Sequence, residues 1–150
     1  MNRPWAALGL VLALCVIMPR SAQAQGSVKP GRPTVGQSYP NPMNPQTKAP
    51  FTVGGYTAGA NPPCADAGRQ YRVTAKIYNA LGQMVAIPVL FGGAGGMGGT
   101  PIDRIQLTCG AYTLRWEGKT LNGREAASGI YRLVIDQDGV QASTQLVVGK

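Results

Sequence analysis

From Tyr71 to Tyr78 the side chains alternate. Tyr71, Val73, Ala75 and Ile77 are apolar, while Arg72, Thr74, Lys76 and Tyr78 carry polar groups. A period of two marks a strand with one buried face. Tyr112, Leu114 and Trp116 alternate in the same way with Thr113 and Arg115, which predicts a strand with a large inward face. Two β-branched runs follow, Ile130–Asp136 and Val140–Val148, joined by Asp136-Gln137-Asp138-Gly139. Asp-Gly between two such runs is a hairpin signal. Shorter runs predict strands over Phe51–Tyr56, Met84–Leu90 and Ile102–Leu107, with Pro88 marking a sheet edge or a bulge. Polar turns fall at Asn79–Gln83 and Glu117–Gly123. The pattern amounts to about seven short strands with frequent turns, the habit of an all-β antiparallel sandwich.

The remaining segments read differently. Ala6–Met18 is an apolar run after a short basic start at Arg3, broken by Pro19-Arg20. Ala22-Gln23-Ala24 then places small residues at −3 and −1 of a cut before Gln25, so residues 1–24 read as a secretory signal peptide. A membrane span needs about 20 apolar residues, and this run is shorter. Between Pro30 and Pro63 lie eight of the 12 prolines, so this stretch is extended or turning, with residues 25–38 as a linker. Residues 92–99 hold six glycines in eight positions and read as a flexible insertion.

Composition narrows the function classes. The chain has 150 residues, room for one domain. It has no histidine, which removes His-based triads, most zinc sites and imidazole ligation of haem. The formal charge of +8 falls by two when Arg3 and Arg20 leave with the leader. That mild charge fits contact with an anionic surface polysaccharide and equally fits plain solubility, and no basic cluster singles out nucleic acid. Loss of the leader also removes Cys15 and leaves Cys64 and Cys109. Two cysteines in an exported chain usually pair. The alternative is two buried free thiols. A bond between them closes a loop worth about 4 kcal/mol in the chain-entropy model.

No constellation points to catalysis. The glycine run ends in Gly99-Thr100-Pro101 and enters a strand, where a phosphate-binding Walker loop needs Gly-Lys-Ser/Thr and a helix. Asp136, Asp138 and Gly139 faintly resemble a calcium loop, but position 145, where the bidentate acid belongs, is Gln. Ser128 and Ser143 have no histidine to activate them. Asp66 and Glu125 would pair only if the fold brought them together. Tyr112, Trp116 and Tyr131 could stack on a sugar, though at alternating strand positions such residues more often pack inward. The expectation is a protein without enzymatic activity, cofactor, metal or small-molecule substrate.

Five blocks carry a family resemblance. Tyr39-Pro40-Asn41-Pro42-Met43-Asn44-Pro45-Gln46-Thr47 resembles the "YPNPFNPxT" opening of type IX secretion system type A C-terminal sorting domains, relatives of the flagellar hook-capping protein's Ig-like domain. Lys76–Val85, with Tyr78, Asn79 and Gly82, is similar to the family's "IYNxxGqxV". Gly110–Gly118, with Trp116 and Gly118, resembles "GxyxvxWdG", and Asn122–Tyr131, with Gly129 and Tyr131, resembles "nGxxvasGiYf". Leu146–Lys150 matches a short apolar strand ending in a basic residue. The blocks stand in family order over residues 39–150.

The resemblance implies an Ig-like sandwich over residues 39–150 that is recognised rather than catalytic. In that family the signal peptide delivers the chain across the inner membrane to the periplasm. An outer-membrane translocon then reads the folded domain, exports the attached cargo to the cell surface or medium, and often links it to surface lipopolysaccharide. The asparagines and prolines of Pro40–Pro45 would fix the entry turn, and Gly82, Gly118 and Gly129 would serve turns or close approaches. The last strand, ending at Lys150, is the expected edge for a receptor. Two features depart from the family. Only Gln25–Ser38 precede the first block, where a cargo is usual, and Cys64, Cys109 and the glycine insertion are extra. The expectation is that the disulfide ties down the chain entering the strand at Tyr71, with the glycine loop bulging at a sandwich end. The alternative function is a small structural or binding module of the envelope with the same fold. A hook-cap role fits the fold and not the signal peptide.

Overall fold

A computed structural model describes residues 31–93 and 98–149. The residues read as a signal peptide, the first part of the linker (25–30), the centre of the glycine insertion and Lys150 lie outside the described residues. Among those described there is no helix, and nine strands form two antiparallel sheets. They are β1 (Thr34–Val35), β2 (Thr47–Val53), β3 (Gln70–Tyr78), β4 (Met84–Ala86), β5 (Val89–Gly93), β6 (Ile105–Thr108), β7 (Gly110–Trp116), β8 (Gly129–Gln137) and β9 (Val140–Val148). One sheet runs β1-β2-β7-β5, and the other runs β4-β3-β8-β9 with β6 also paired to β3. The chain is therefore the antiparallel β-sandwich that its alternation predicts.

The inward faces follow the sequence period. Ala49, Phe51 and Val53 of β2 and Tyr112, Leu114 and Trp116 of β7 are buried from one sheet. Tyr71, Val73, Ala75 and Ile77 of β3 and Tyr131, Leu133 and Ile135 of β8 are buried from the other. Phe51 stacks on Tyr112 with ring centroids 5.6 Å apart. The β8–β9 hairpin holds one register from Gln137↔Val140 to Gly129↔Val148. Asp138 and Gly139 take positive φ in its two-residue turn, the conformation for which Asp-Gly is favoured.

The structure corrects the expected strands in three places. Met84–Leu90 is not one strand. β4 pairs with β3 and β5 pairs with β7, so the chain changes sheets around Pro88. The strand expected over Phe51–Tyr56 instead begins at Thr47 and ends at Val53, where Gly54 and Gly55 turn with positive φ. Pro50 sits inside it because its backbone faces the outer side, where its carbonyl accepts from Gly36 N–H and no ladder donor is demanded. The strand expected from Ile102 starts at Ile105. Ile102 is instead a fully buried plug whose N–H donates to Pro88 and whose carbonyl accepts from Ala75. Within the residues read as linker, Thr34 and Val35 pair with Thr52 and Phe51.

Cys64 and Cys109 form a disulfide with Cα atoms 6.0 Å apart. It ties the segment entering β3 to the corner between β6 and β7, as expected from the sequence. Beside it Gln137, 1% exposed, accepts from Gly54 N–H through Oε1 at 2.7 Å and donates from Nε2 to the Gly31 carbonyl at 2.8 Å. Gly93 pairs with Tyr112, so the glycine insertion leaves its sheet toward this same end.

Candidate functional site

The end opposite the disulfide collects the five sequence blocks. β2 and β7 meet there at Thr47↔Trp116, and β3, β8 and β9 meet there through Tyr78↔Arg132 and Gly129↔Val148. The first block wraps this end. Tyr39 exchanges two main-chain hydrogen bonds with Lys48, and the Pro40 carbonyl accepts from Thr47 Oγ1 at 2.9 Å. Asn41 Oδ1 accepts from Val147 N–H at 3.1 Å. Met43 N–H donates to the Val147 carbonyl at 2.8 Å, and its side chain, 2% exposed, plugs the gap between the sheets. Pro42 lies against Gly149, so the block and the end of β9 are packed together.

The other blocks close around that plug. Trp116 donates from Nε1 to the Lys119 carbonyl at 2.8 Å and packs edge-on to Tyr131 at 5.4 Å. Tyr131 Oη donates to the Ala127 carbonyl at 2.8 Å. Gly118 has φ of +71°, and a Cβ there would stand 2.7 Å from the Pro45 carbonyl oxygen. A side chain at that position has no room. Gly118 also accepts from Ala126 N–H at 2.7 Å, and Ala126 is buried. Gly129, with φ of +152°, has open space around it, so conformation rather than room favours glycine there. The Asn79–Gln83 turn closes on Asn79 Oδ1, which accepts from the Leu81 and Gln83 amides, and Gly82 supplies a positive φ.

Two concavities open on this end. A cleft of about 520 Å³ is lined by Met43, Asn44, Pro45, Glu117, Lys119 and Glu125. A groove of about 630 Å³ on the outer face of the β3–β8–β9 sheet is lined by Tyr78, Asn79, Gly82, Ile130, Arg132 and Gln145. Large apolar side chains project beside them: Leu81 is 82% exposed, Leu121 60% and Ile130 57%, with Met84 and Tyr39 also exposed. Exposed apolar side chains gathered in one region are a feature of contact surfaces.

The catalytic alternatives are not assembled. Asp66 accepts from the Gly68 and Arg69 amides near the disulfide, whereas Glu125 lines the cleft at the opposite end. Asp136 and Asp138 are engaged within the hairpin and with Arg72 N–H. Tyr112, Trp116 and Tyr131 face the core and so do not form the sugar platform considered for them. The last strand is an edge strand as expected, but its final turn is covered by Asn41 and Met43. Sequence reasoning missed Met43 as the plug and Gln137 as a buried tie. Met43 is marked by the apolar position between two Asn-Pro steps, while nothing in the pattern marks Gln137. No protein-family model, curated protein or solved structure matches the chain.

Proposed function

We propose that the protein is a non-catalytic, exported sorting and surface-attachment domain of the type IX kind. Its partner would be an outer-membrane translocon, with anionic surface polysaccharide as a secondary contact. The observation that carries this reading is the convergence of five blocks, far apart in sequence, on one end that also exposes Leu81, Leu121 and Ile130. A receptor reading a folded domain needs a surface it can cover, and large apolar side chains exposed together mark such contact sites. The disulfide fits passage through an oxidising compartment.

The test is a reporter carrying residues 31–150 at its C-terminus in a host with a type IX system. Surface display is expected, and Leu81→Lys, Leu121→Lys and Ile130→Lys together should abolish it while the domain stays folded. A reporter that remains periplasmic would instead favour a structural or binding module of the envelope.

A further inference from the structure

The edges of the two sheets are protected unequally. β5 is covered by Gly99 and Thr100, which bond to Leu90, and β4 is covered by Leu121, which donates to Val85. β1 is only two residues long. β9 runs for nine residues without a charge or a proline. β1 of the other sheet comes close to it, but among the described residues hydrogen bonds close its side away from β8 only at Val147, through Asn41 and Met43. Main-chain groups in an antiparallel ladder point alternately to either side, so Gln141, Ser143 and Gln145 direct theirs the same way as Val147. Among the described residues these groups meet no partner. Folded proteins normally blunt such an edge with lysine, proline or a bulge.

We propose that this edge pairs with a second copy of the chain, antiparallel about a two-fold axis through Ser143. The outward row Gln141–Ser143–Gln145 reads the same in both directions, as an isologous contact requires. Pairing sets Ser143 against Ser143 and each Gln141 against the other copy's Gln145, and closes about six main-chain hydrogen bonds. The side chains are complementary too. Gln141 Nε2 already donates to Asp136 Oδ2 at 3.1 Å, which leaves its Oε1 free to accept. Gln145 of the other copy can donate there, and its own Oε1 lies opposite Arg132, its cross-strand neighbour, from which it can accept. The relay runs from guanidinium to carboxylate and is repeated by symmetry. A foreign strand would have no reason to match both halves. The inference does not depend on the sorting function.

Sedimentation velocity of the purified chain should show a monomer–dimer equilibrium between about 1 and 500 µM, the range of small interfaces. Ser143→Lys puts like charges directly opposite at the axis and should weaken the dimer at least about tenfold. Its side chain is exposed, so the thermal midpoint should not move at concentrations where the chain is monomeric. Register is read by oxidation. Ser143→Cys should cross-link to itself, because facing Cα atoms stand about 5.5 Å apart, whereas Gln141→Cys should not. A chain that stays monomeric throughout, a dimer unaffected by Ser143→Lys, or equal cross-linking at both positions would overturn the proposal.

Discussion

At one end of the sandwich, Cys64 is bonded to Cys109 and Gln137 ties Gly31 and Gly54 together. At the other, Met43, Trp116 and Tyr131 interlock, and Gly118 makes room for Pro45. The first end is closed by a covalent bond and two polar contacts, which ask little of the surrounding residues. The second is closed by shape, which asks for particular side chains at particular places. That contrast explains why the five blocks gather at one end. The end that exposes Leu81, Leu121 and Ile130 is the end whose backbone is fixed by packing and hydrogen bonds without a covalent tie among the described residues.

The strongest challenge to this contrast is Trp116→Ala. The substitution empties a buried site, removes the edge-on contact with Tyr131 and leaves the Lys119 carbonyl without its donor. A loss of about 3–5 kcal/mol is expected in urea unfolding, a large part of a small domain's stability. A loss below about 1 kcal/mol would mean that packing does not hold this end.

Replacing both Cys64 and Cys109 by Ser acts through the unfolded chain more than through native contacts. The expected loss is about 4 kcal/mol, the loop-closure figure for this bond and within the usual range for a natural disulfide. Native packing at the far end should persist, so the Trp116 fluorescence of the folded state should stay unchanged. A shifted folded-state spectrum would show that the ends are coupled and would break the contrast.

Gln137→Leu probes the polar half of the same end. The change keeps approximate volume but strands Gly54 N–H and the Gly31 carbonyl, at a cost of about 2 kcal/mol. Combined with the cysteine replacements it sharpens the comparison, because two locks on one end should add less than their separate costs suggest.

The sequence displays one of these ends far better than the other, and the reason is physical. Alternation in Tyr71–Ile77 and Tyr112–Trp116 reports burial directly, so the sheets and most of the core are visible as a period of two. The hairpin at Asp138-Gly139 is visible because few residues accept its backbone. Met84–Leu90 misleads because a strand that leaves one sheet and joins the other keeps an unbroken apolar run, and only Pro88 hints at the crossing. β2 hides behind Pro50, whose missing donor faces a side that needs none. Gln137 is invisible for another reason. Its burial depends on Gly31 and Gly54, residues remote in the chain that no local pattern connects to it.

The smallest effect is expected from Asn41→Ala, and it bears on what the packed end does. Asn41 makes one exposed side-chain bond, to Val147 N–H, so global stability should fall by no more than about 1 kcal/mol. The Met43 plug and its own bond to the Val147 carbonyl remain. Local opening is another matter, because the final turn of β9 then has one fewer tie on its outer side. Hydrogen exchange at Val147 should accelerate while that at Leu133 in the core strand does not, since exchange at strand ends reports local rather than global opening. If the domain is exported and read through this end, as proposed, the same variant should alter display without altering fold. Unchanged exchange at Val147 would show that Met43 alone secures the tail, and that the first asparagine of the block is kept for contact rather than for structure.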